Sequence, residues 1–323
     1  MKILIVRLSS FGDQLHLLPA IVDLKHQMPK CEIYWLVQPE FSLIPKIHPQ
    51  VTQVFEICLR ELGQKPWAFH LWKSFIYLIK SLRAQGFDYV IDTQGMLKSA
   101  VLSFLSGSKI RVGYSKHSIS EKLAYVFYHR HFTHRGGSSS VARVRDLFQW
   151  TFGLETPSYP PKFGLSNTND GFNKAQSQAL LFIPFASKSE KLLPNAVWVN
   201  LGRYARELNP TIQIYLSWGS QAEKTAADKI RNENQDLFIV CSEKNDSFNL
   251  LNFMLGFGAV IGLDTGPTHL ANAIGLPTIM IFTATSPQLF FVAGSAQSVA
   301  LGSAVGGPSL SEIKAQLARI CIR

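Results

Sequence analysis

The chain is poor in cysteine, in charge and in long apolar runs. Only four cysteines occur among 323 residues, Cys31, Cys58, Cys241 and Cys321. They stand far apart, without the paired spacings that hold zinc or serve redox chemistry. A reduced, cytoplasmic protein is the simplest reading. The longest near-continuous apolar run, Phe253 to Leu263, is interrupted by glycines and is too short to span a bilayer. The opening Met1-Lys2-Ile3-Leu4-Ile5-Val6-Arg7 has four apolar residues before the next charge, which does not fit a signal peptide. No Walker loop, Gly-x-Ser-x-Gly or kinase set occurs, and Gly256-x-Gly258 precedes a strand pattern where a dinucleotide fingerprint would follow one. There is no Asp-x-Asp to hold a divalent metal.

What is present is a well-packed globular composition, 46% apolar and 17% charged. The length exceeds the usual size of one hydrophobic core, so two domains are expected. Charge is uneven: residues 1–165 carry 20 Lys and Arg against 11 Asp and Glu, residues 166–323 carry 12 against 11. Eight of the nine histidines also fall in the first part. A basic half implies an anionic partner, either nucleic acid, a membrane surface or a phosphorylated or carboxylated substrate. Service to solubility alone is the plainer alternative, which explains a net charge better than an asymmetry. No helix-turn-helix, finger or RNA-binding signature favours nucleic acid.

Short β-rich runs alternate with stretches of helical spacing. They are Ile3–Val6, Ile33–Val37 and Tyr89–Ile91, then Leu180–Phe185, Ile212–Trp218, Phe238–Val240, Ala259–Leu263 and Thr278–Phe282. Continuous apolar strands between helices predict parallel sheets covered on both faces. The expected class is α/β, with two Rossmann-like domains facing a central cleft, 1–165 and 166–323. A Pro/Ser/Asn-rich stretch from Glu155 to Asn173 reads as the linker. The last segment, about 309–323, reads as a helix with Leu310, Ile313, Leu317 and Ile320 on one face, open to packing back on the first domain.

Two strand-to-helix junctions carry chemistry. After the first strand comes Ser9-Ser10-Phe11-Gly12-Asp13-Gln14-Leu15-His16, with serines suited to an N-cap and Asp13 in the first helical turn. Open α/β sheets bind ligands at such carboxyl ends. Asp13 there can accept a proton from a substrate hydroxyl, or merely complement the helix dipole. In the second half, Gly262-Leu263-Asp264-Thr265-Gly266-Pro267-Thr268-His269 ends a buried strand and opens a helix at Pro267. Free N–H groups at that helix start suit a pyrophosphate, with His269 near enough to touch it. His129-x-His131 with His134 lacks carboxylates or cysteines to complete a metal site and reads rather as a surface or acceptor-contacting loop. Lys65–Arg83 interleaves Lys65, Lys73, Lys80 and Arg83 with Trp67, Phe69, Trp72, Phe75 and Ile76. That pattern suits either an interfacial patch for an anionic membrane or an ordinary helix covering the sheet.

Three strings then recur in one order and spacing: Ser9 to His16 with Leu18-Pro19-Ala20 after it, Asp92-Thr93-Gln94-Gly95 followed by Lys98-Ser99-Ala100, and Asp264 to Leu270. Together they resemble the ADP-heptose:lipopolysaccharide heptosyltransferases of glycosyltransferase family 9, most closely the type I enzymes, over nearly the whole chain. The resemblance implies a GT-B fold with acceptor bound by the N-terminal domain and ADP-heptose by the C-terminal one. It implies inverting, metal-independent transfer of L-glycero-D-manno-heptose to the 3-deoxy-manno-octulosonic acid (Kdo) of the lipid A-linked inner core. No cofactor and no nucleic acid are expected. The enzyme would work in the cytoplasm, peripheral on the inner membrane's cytoplasmic face.

By the same resemblance Asp13 is the general base and Lys191 neutralises the donor phosphates. Ser187 and Lys188 belong to the same phosphate segment, Glu223 binds the ribose, and Asp264, Thr265, Gly266 and His269 contact the diphosphate and heptose. On the acceptor side stand Ser10, Gly12, Arg60 and Lys98, with Gln94, Arg143 and Arg145 as further candidates. The chain departs from the family at Leu192-Leu193-Pro194, where His-Trp-Pro or a similar aromatic is usual, and at Thr283-Ala284-Thr285-Ser286, in place of Gly-Pro-Thr. It differs again near Asn245, beside the adenine, and at Glu61, where a second basic residue is usual. Alternatives are a family member with another acceptor, a second core heptose or a protein hydroxyl, or a nucleotide-sugar binding protein without catalysis.

Overall fold

A computed structural model describes residues 1–64, 67–134, 136–137, 139–165, 179–234, 236–242 and 250–321. The chain forms two compact units, Met1–Gly164 and Leu165–Arg323, a division one residue from the expected one.

The first unit runs β1 (Lys2–Val6), α1 (Phe11–Gln27), β2 (Glu32–Val37), α2 (Leu43–Ile47), β3 (Gln53–Glu56), α3 (Leu59–Gln64) and α4 (Phe69–Gln85). It continues with β4 (Tyr89–Asp92), α5 (Leu97–Leu105), β5 (Ile110–Tyr114), a 3-10 turn at Lys122–Phe127, β6 (Arg130–Phe132) and α6 (Ser140–Phe152). The sheet is parallel throughout, in the order β3-β2-β1-β4-β5-β6. Ile3, Leu4, Ile5 and Val6 are all fully buried, as the unbroken apolar run requires of a strand covered on both faces. Leu4 and Val6 face a core shared with Phe75, Leu78, Ile79 and Leu82 of α4 and Leu102 of α5. On the other helical layer α1 packs along α6. A buried pair holds them together, Arg145 Nε to Asp23 Oδ2 at 2.5 Å.

The second unit repeats the plan with β7 (Ala179–Ile183), α7 (Asn195–Leu208), β8 (Gln213–Leu216), α8 (Gln221–Glu233), β9 (Ile239–Val240) and α9 (Leu250–Leu255). It ends with β10 (Ala259–Leu263), α10 (Gly266–Ala273), β11 (Thr278–Phe282), α11 (Pro287–Phe290), β12 (Val299–Gly302) and α12 (Leu310–Cys321). Its parallel order, β12-β11-β10-β7-β8-β9, is that of the first sheet, strand for strand. Each sheet therefore reverses its strand order once, between β1 and β4 and between β7 and β10, where such folds bind ligands.

Two expectations change. Residues 155–163 do not hang free as a linker: Gln27 donates Nε2–H to Glu155 O and accepts Glu155 N–H through Oε1, each at 2.9 Å, and His48 Nε2 lies 3.1 Å from Phe163 O. Burial drives that histidine's pKa down to about 4. The rest of the expected linker, 166–173, lies outside the described residues, as do Lys65 and Asn245. The final helix spends its apolar face inside the second unit, where Ile313 and Leu317 are fully buried with Trp198 and Leu201 of α7.

Candidate active site

In the first unit, the loops after β1 and β4 are tied together at the switch point. Gln94 accepts Leu8 N–H through Oε1 at 2.8 Å and donates to Ser9 Oγ at 3.2 Å. Arg7, nine-tenths buried, donates Nη1 to Thr93 O at 2.6 Å. Its other terminal nitrogen, Nη2, sits 2.6 Å from Asp13 Oδ2. The same oxygen accepts Ser10 N–H and Ser10 Oγ–H, each at 3.0 Å, so Asp13 also closes the capping box of α1. Burial pushes the Asp13 carboxyl up, but Arg7 and the Ser10 N–H together outweigh it and hold its pKa below the ordinary value. The result is an ionised, one-third exposed carboxylate with every described bond on Oδ2 and none on Oδ1. A helix cap alone does not call for a buried arginine behind it.

A water-sized recess adjoins this carboxylate, lined by Arg7, Asp13, His16, Thr93, Ser140 and Arg143. Arg143 leans over the Tyr114 ring at 5.7 Å, and its buried Nε makes no hydrogen bond. Behind the β4 loop, fully buried Asp92 accepts Gln94 N–H at 2.8 Å, Gly95 N–H at 3.0 Å and Tyr128 O–H at 2.7 Å. Burial nevertheless pushes its pKa up. Tyr128 reaches it across Gly113, where a Cβ would meet the ring at 2.4 Å.

The remaining acceptor-side candidates divide. Ser10 is exposed, Gly12 is half-buried in the first turn of α1, and Arg60 on α3 and Lys98 on α5 are exposed to solvent. Gln94 is placed at the site, though its amide is committed to the loop. Arg145 turns its Nε to Asp23 of α1, between the two helices, and lines no part of the recess beside Asp13. The histidine group does not assemble: His131 stacks on Tyr125 at 3.9 Å and His129 Nε2 faces Arg111 Nη2 at 2.8 Å. Among the described residues no three potential ligands converge on one point.

In the second unit the loops after β7, β10 and β11 meet at Asp264. Lys191, in the 3-10 turn Ser189–Lys191, donates to Asp264 O at 2.8 Å and Oδ2 at 2.6 Å. His269 Nε2 lies 2.8 Å from Oδ1, and Thr285 Oγ1 donates to Oδ2 at 2.6 Å. Burial raises the Asp264 pKa, yet His269, Lys191 and Thr285 overcome it and hold the group well below the carboxylate range. An ionised Asp264 requires His269 to carry its proton on Nε2. Thr265 is the N-cap residue of α10 and Pro267 stands at its second position, so the helix starts directly after Asp264, and its first-turn N–H groups have no partner within the helix. Gly262 lets the helix close on the strand: a Cβ there would stand 2.4 Å from Thr268 Oγ1 and 2.8 Å from Ile183 Cβ.

Thr283 and Thr285, which the sequence offers only as departures from the family pattern, both bond to this loop cluster. Thr285 holds Asp264, and Thr283 donates to Glu190 O at 3.2 Å, bracing the turn that carries Lys191. Leu193 packs against the second core in place of the expected aromatic. Ser187 is exposed, and Lys188 makes a loose 3.7 Å pair with Glu190. Glu223, at the third position of α8, accepts Gly219 N–H through Oε2 at 2.6 Å.

Comparison with known proteins places this arrangement. The profile of glycosyltransferase family 9 (heptosyltransferase) matches residues 75–315. Lipopolysaccharide heptosyltransferase 1 of Pseudomonas aeruginosa is 30% identical over 306 residues, covering 94% of this chain and 84% of that protein. The counterpart in Escherichia coli K12 is 27% identical over 93% of each chain. The solved E. coli heptosyltransferase WaaC with ADP superposes with a TM-score of 0.87 at 26% identity, covering 99% of this chain and 100% of that one. The chain therefore belongs to glycosyltransferase family 9, the heptosyltransferases, and has their GT-B fold.

Proposed function

We propose that the chain transfers L-glycero-D-manno-heptose from ADP-heptose to a Kdo hydroxyl of the lipopolysaccharide inner core, with inversion and without a metal ion. The observation that carries this reading is Lys191 held on Asp264 beside the start of α10, a cation and a helix N-terminus preset for a diphosphate.

On this reading Asp264 fixes the Lys191 ammonium before the donor arrives. As the heptose C1–O bond lengthens, negative charge grows on the departing ADP and meets Lys191 and the free N–H groups of α10. Preorganised charges of this kind stabilise a transition state without reorganisation. Glu223 keeps one oxygen on Gly219 N–H and offers the other to the ribose hydroxyls. The exposed Ser187 and Lys188 border the same phosphate segment. On the acceptor side, Arg143, Lys98 and Arg60 supply cations for the Kdo carboxylates.

Asp13 receives the proton. The Kdo oxygen bonds to C1, the C1–O bond to the β-phosphate breaks with its electron pair leaving on ADP, and the hydroxyl proton passes to Oδ1. A carboxylate held at low pKa is a weak base, which suits a hydroxyl that turns acidic only as its oxygen bonds to an oxocarbenium-like carbon. Arg7 keeps that base ionised at neutral pH. A lipid-linked acceptor puts the enzyme on the cytoplasmic face of the inner membrane as a peripheral protein, and no described helix is long and apolar enough to cross it.

The test is mass and NMR analysis of Kdo–lipid A after incubation with ADP-heptose. Gain of one heptose with inverted anomeric configuration supports the reading. An unmodified Kdo–lipid A, with the heptose instead on another sugar or a protein, would overturn it.

A further inference from the structure

The helical layer over β1, β2 and β4 presents apolar side chains on both of its sides. In α4, Phe75, Leu78, Ile79 and Leu82 cover the sheet. A helix in that position ordinarily shows water a polar face. Here Phe69, Trp72, Ile76 and Tyr77 occupy the outward face, at 82%, 44%, 52% and 72% exposure, with Trp67 before them at 79%. The neighbouring elements extend this surface. Arg83 of α4 donates Nε to Leu105 O at the end of α5, and Ala124 of the 3-10 turn packs on Ala100 of α5. Leu123 and Val126 of that turn are each 71% exposed, and Phe104 of α5 is 48% exposed. Nine of the fifteen exposed large apolar side chains of the described residues lie on these three segments.

Charge on the same segments has one sign. From Trp67 to Gln85, in Leu97–Leu105 and in Lys122–Phe127 there is no Asp or Glu, while Lys73, Lys80, Arg83, Lys98 and Lys122 are present; Glu121, at the border of the turn, is held as an acceptor by Leu97 N–H at 2.7 Å. Lys73 and Lys80 share the outward face of α4 with Phe69 and Ile76 by helical spacing. Aromatic rings among lysines suit the boundary between headgroups and acyl chains, where rings sink and ammonium groups remain at the phosphates. A soluble protein partner would explain the apolar area but not the absence of acidic residues across three segments.

We propose that the outer surface of α4, α5 and the Lys122–Phe127 turn docks the protein on an anionic phospholipid bilayer, with Trp67, Phe69, Ile76 and Tyr77 inserted at the interface. This deepens the reading of a lipid-linked acceptor, but the docking depends on neither donor nor acceptor. The first unit thereby rests on the membrane by the layer that also carries Lys98 and follows Arg60.

The test is flotation of the full chain with vesicles of phosphatidylglycerol and phosphatidylcholine, free of Kdo–lipid A and of ADP-heptose. Wild type floats with the anionic vesicles and not with pure phosphatidylcholine. The variant W67S/F69S/I76S/Y77S, altered only at exposed positions, weakens partition by about tenfold or more. K73E/K80E does the same and leaves thermal unfolding and ADP affinity unchanged. Absence of wild type from anionic vesicles, or equal flotation of the quadruple variant, overturns the proposal. So does a wild-type dimer in sedimentation that the same four substitutions dissociate, since a second copy would then be the occupant. Loss of transferase activity with intact flotation would count against the proposed reaction and not against the docking face.

Discussion

Arg7 and Asp13 form a 2.6 Å ion pair at the carboxyl end of β1, with the arginine anchored by Thr93 O from the neighbouring strand's loop. Arg7 thereby positions Asp13 and holds its pKa down against burial. In Arg7→Met, burial is no longer fully opposed, so the pKa of Asp13 rises. The acid limb of kcat/KM then moves to higher pH by about one to three units, as expected for loss of an adjacent opposite charge. Arg7→Lys shows a smaller shift, and ADP affinity, which the proposed function assigns to the second unit, is unchanged in both. A pH profile of Arg7→Met that overlays wild type would show that Arg7 does not tune the base.

Asp13→Asn keeps the Ser10 capping contacts in part and loses the proton acceptor. Turnover falls by about 10²–10⁴, the usual worth of general base catalysis, with ADP affinity retained by calorimetry. Lys191→Ala behaves in the opposite way. It weakens ADP binding and lowers kcat by about 10²–10³ through loss of one preorganised charge. Wild-type turnover in either variant would remove that residue from the mechanism.

Asp264 makes the stability of the second unit depend on acid. Its folded pKa is depressed, so its contribution is complete above the unfolded value of about 3.9 and is lost as pH falls toward the folded one. Thermal unfolding of wild type should therefore steepen its loss of stability below about pH 4, and Asp264→Asn should flatten that limb. Asp264→Ala leaves the four-fifths buried Lys191 unpaired and costs about 3 kcal/mol at neutral pH. Equal acid limbs for wild type and Asp264→Asn would contradict the assignment.

Thr285→Val removes the hydroxyl that donates to Asp264 at 2.6 Å. The loss of a bond to a buried charged group destabilises by about 1.5–3 kcal/mol, read as a lower Tm together with weaker ADP binding. Gly262→Ala places a Cβ 2.4 Å from Thr268 Oγ1, which pushes α10 from the strand. Its Tm falls, and Thr268→Ala in the same chain recovers part of the loss. No recovery would place the strain at Ile183 instead.

Much of this was legible in the residues. All eight anticipated strands form, seven of them holding buried apolar residues; β9, at a sheet edge, has none and was legible only from its apolar composition. The four that escaped notice, β3, β5, β6 and β12, are polar or glycine-bearing: Gln-Val-Phe-Glu has one buried residue, Arg-His-Phe has one, Val299–Gly302 has none, and β5 carries Arg111 and Gly113. Three of them, β3, β6 and β12, are edge strands, and β5 lies beside one. Asp13 and Asp264 were readable from their places at strand-to-helix junctions. Arg7 was not, since an arginine ending a strand looks like any solvated charge until Thr93 is brought to it from 86 residues away. Arg145 looked available for an acceptor until α1 supplied Asp23. Thr283 and Thr285 read as departures from a motif, yet their hydroxyls brace the residues the motif serves.

Under the proposed function the chain releases ADP only when an acceptor takes the heptose, and does so without a metal. We would measure ADP release from ADP-heptose in EDTA, with and without Kdo–lipid A. Rapid release is expected only when the acceptor is present, undiminished by EDTA. ADP release that needs an added divalent metal, or ADP binding with no acceptor-dependent release, would contradict it.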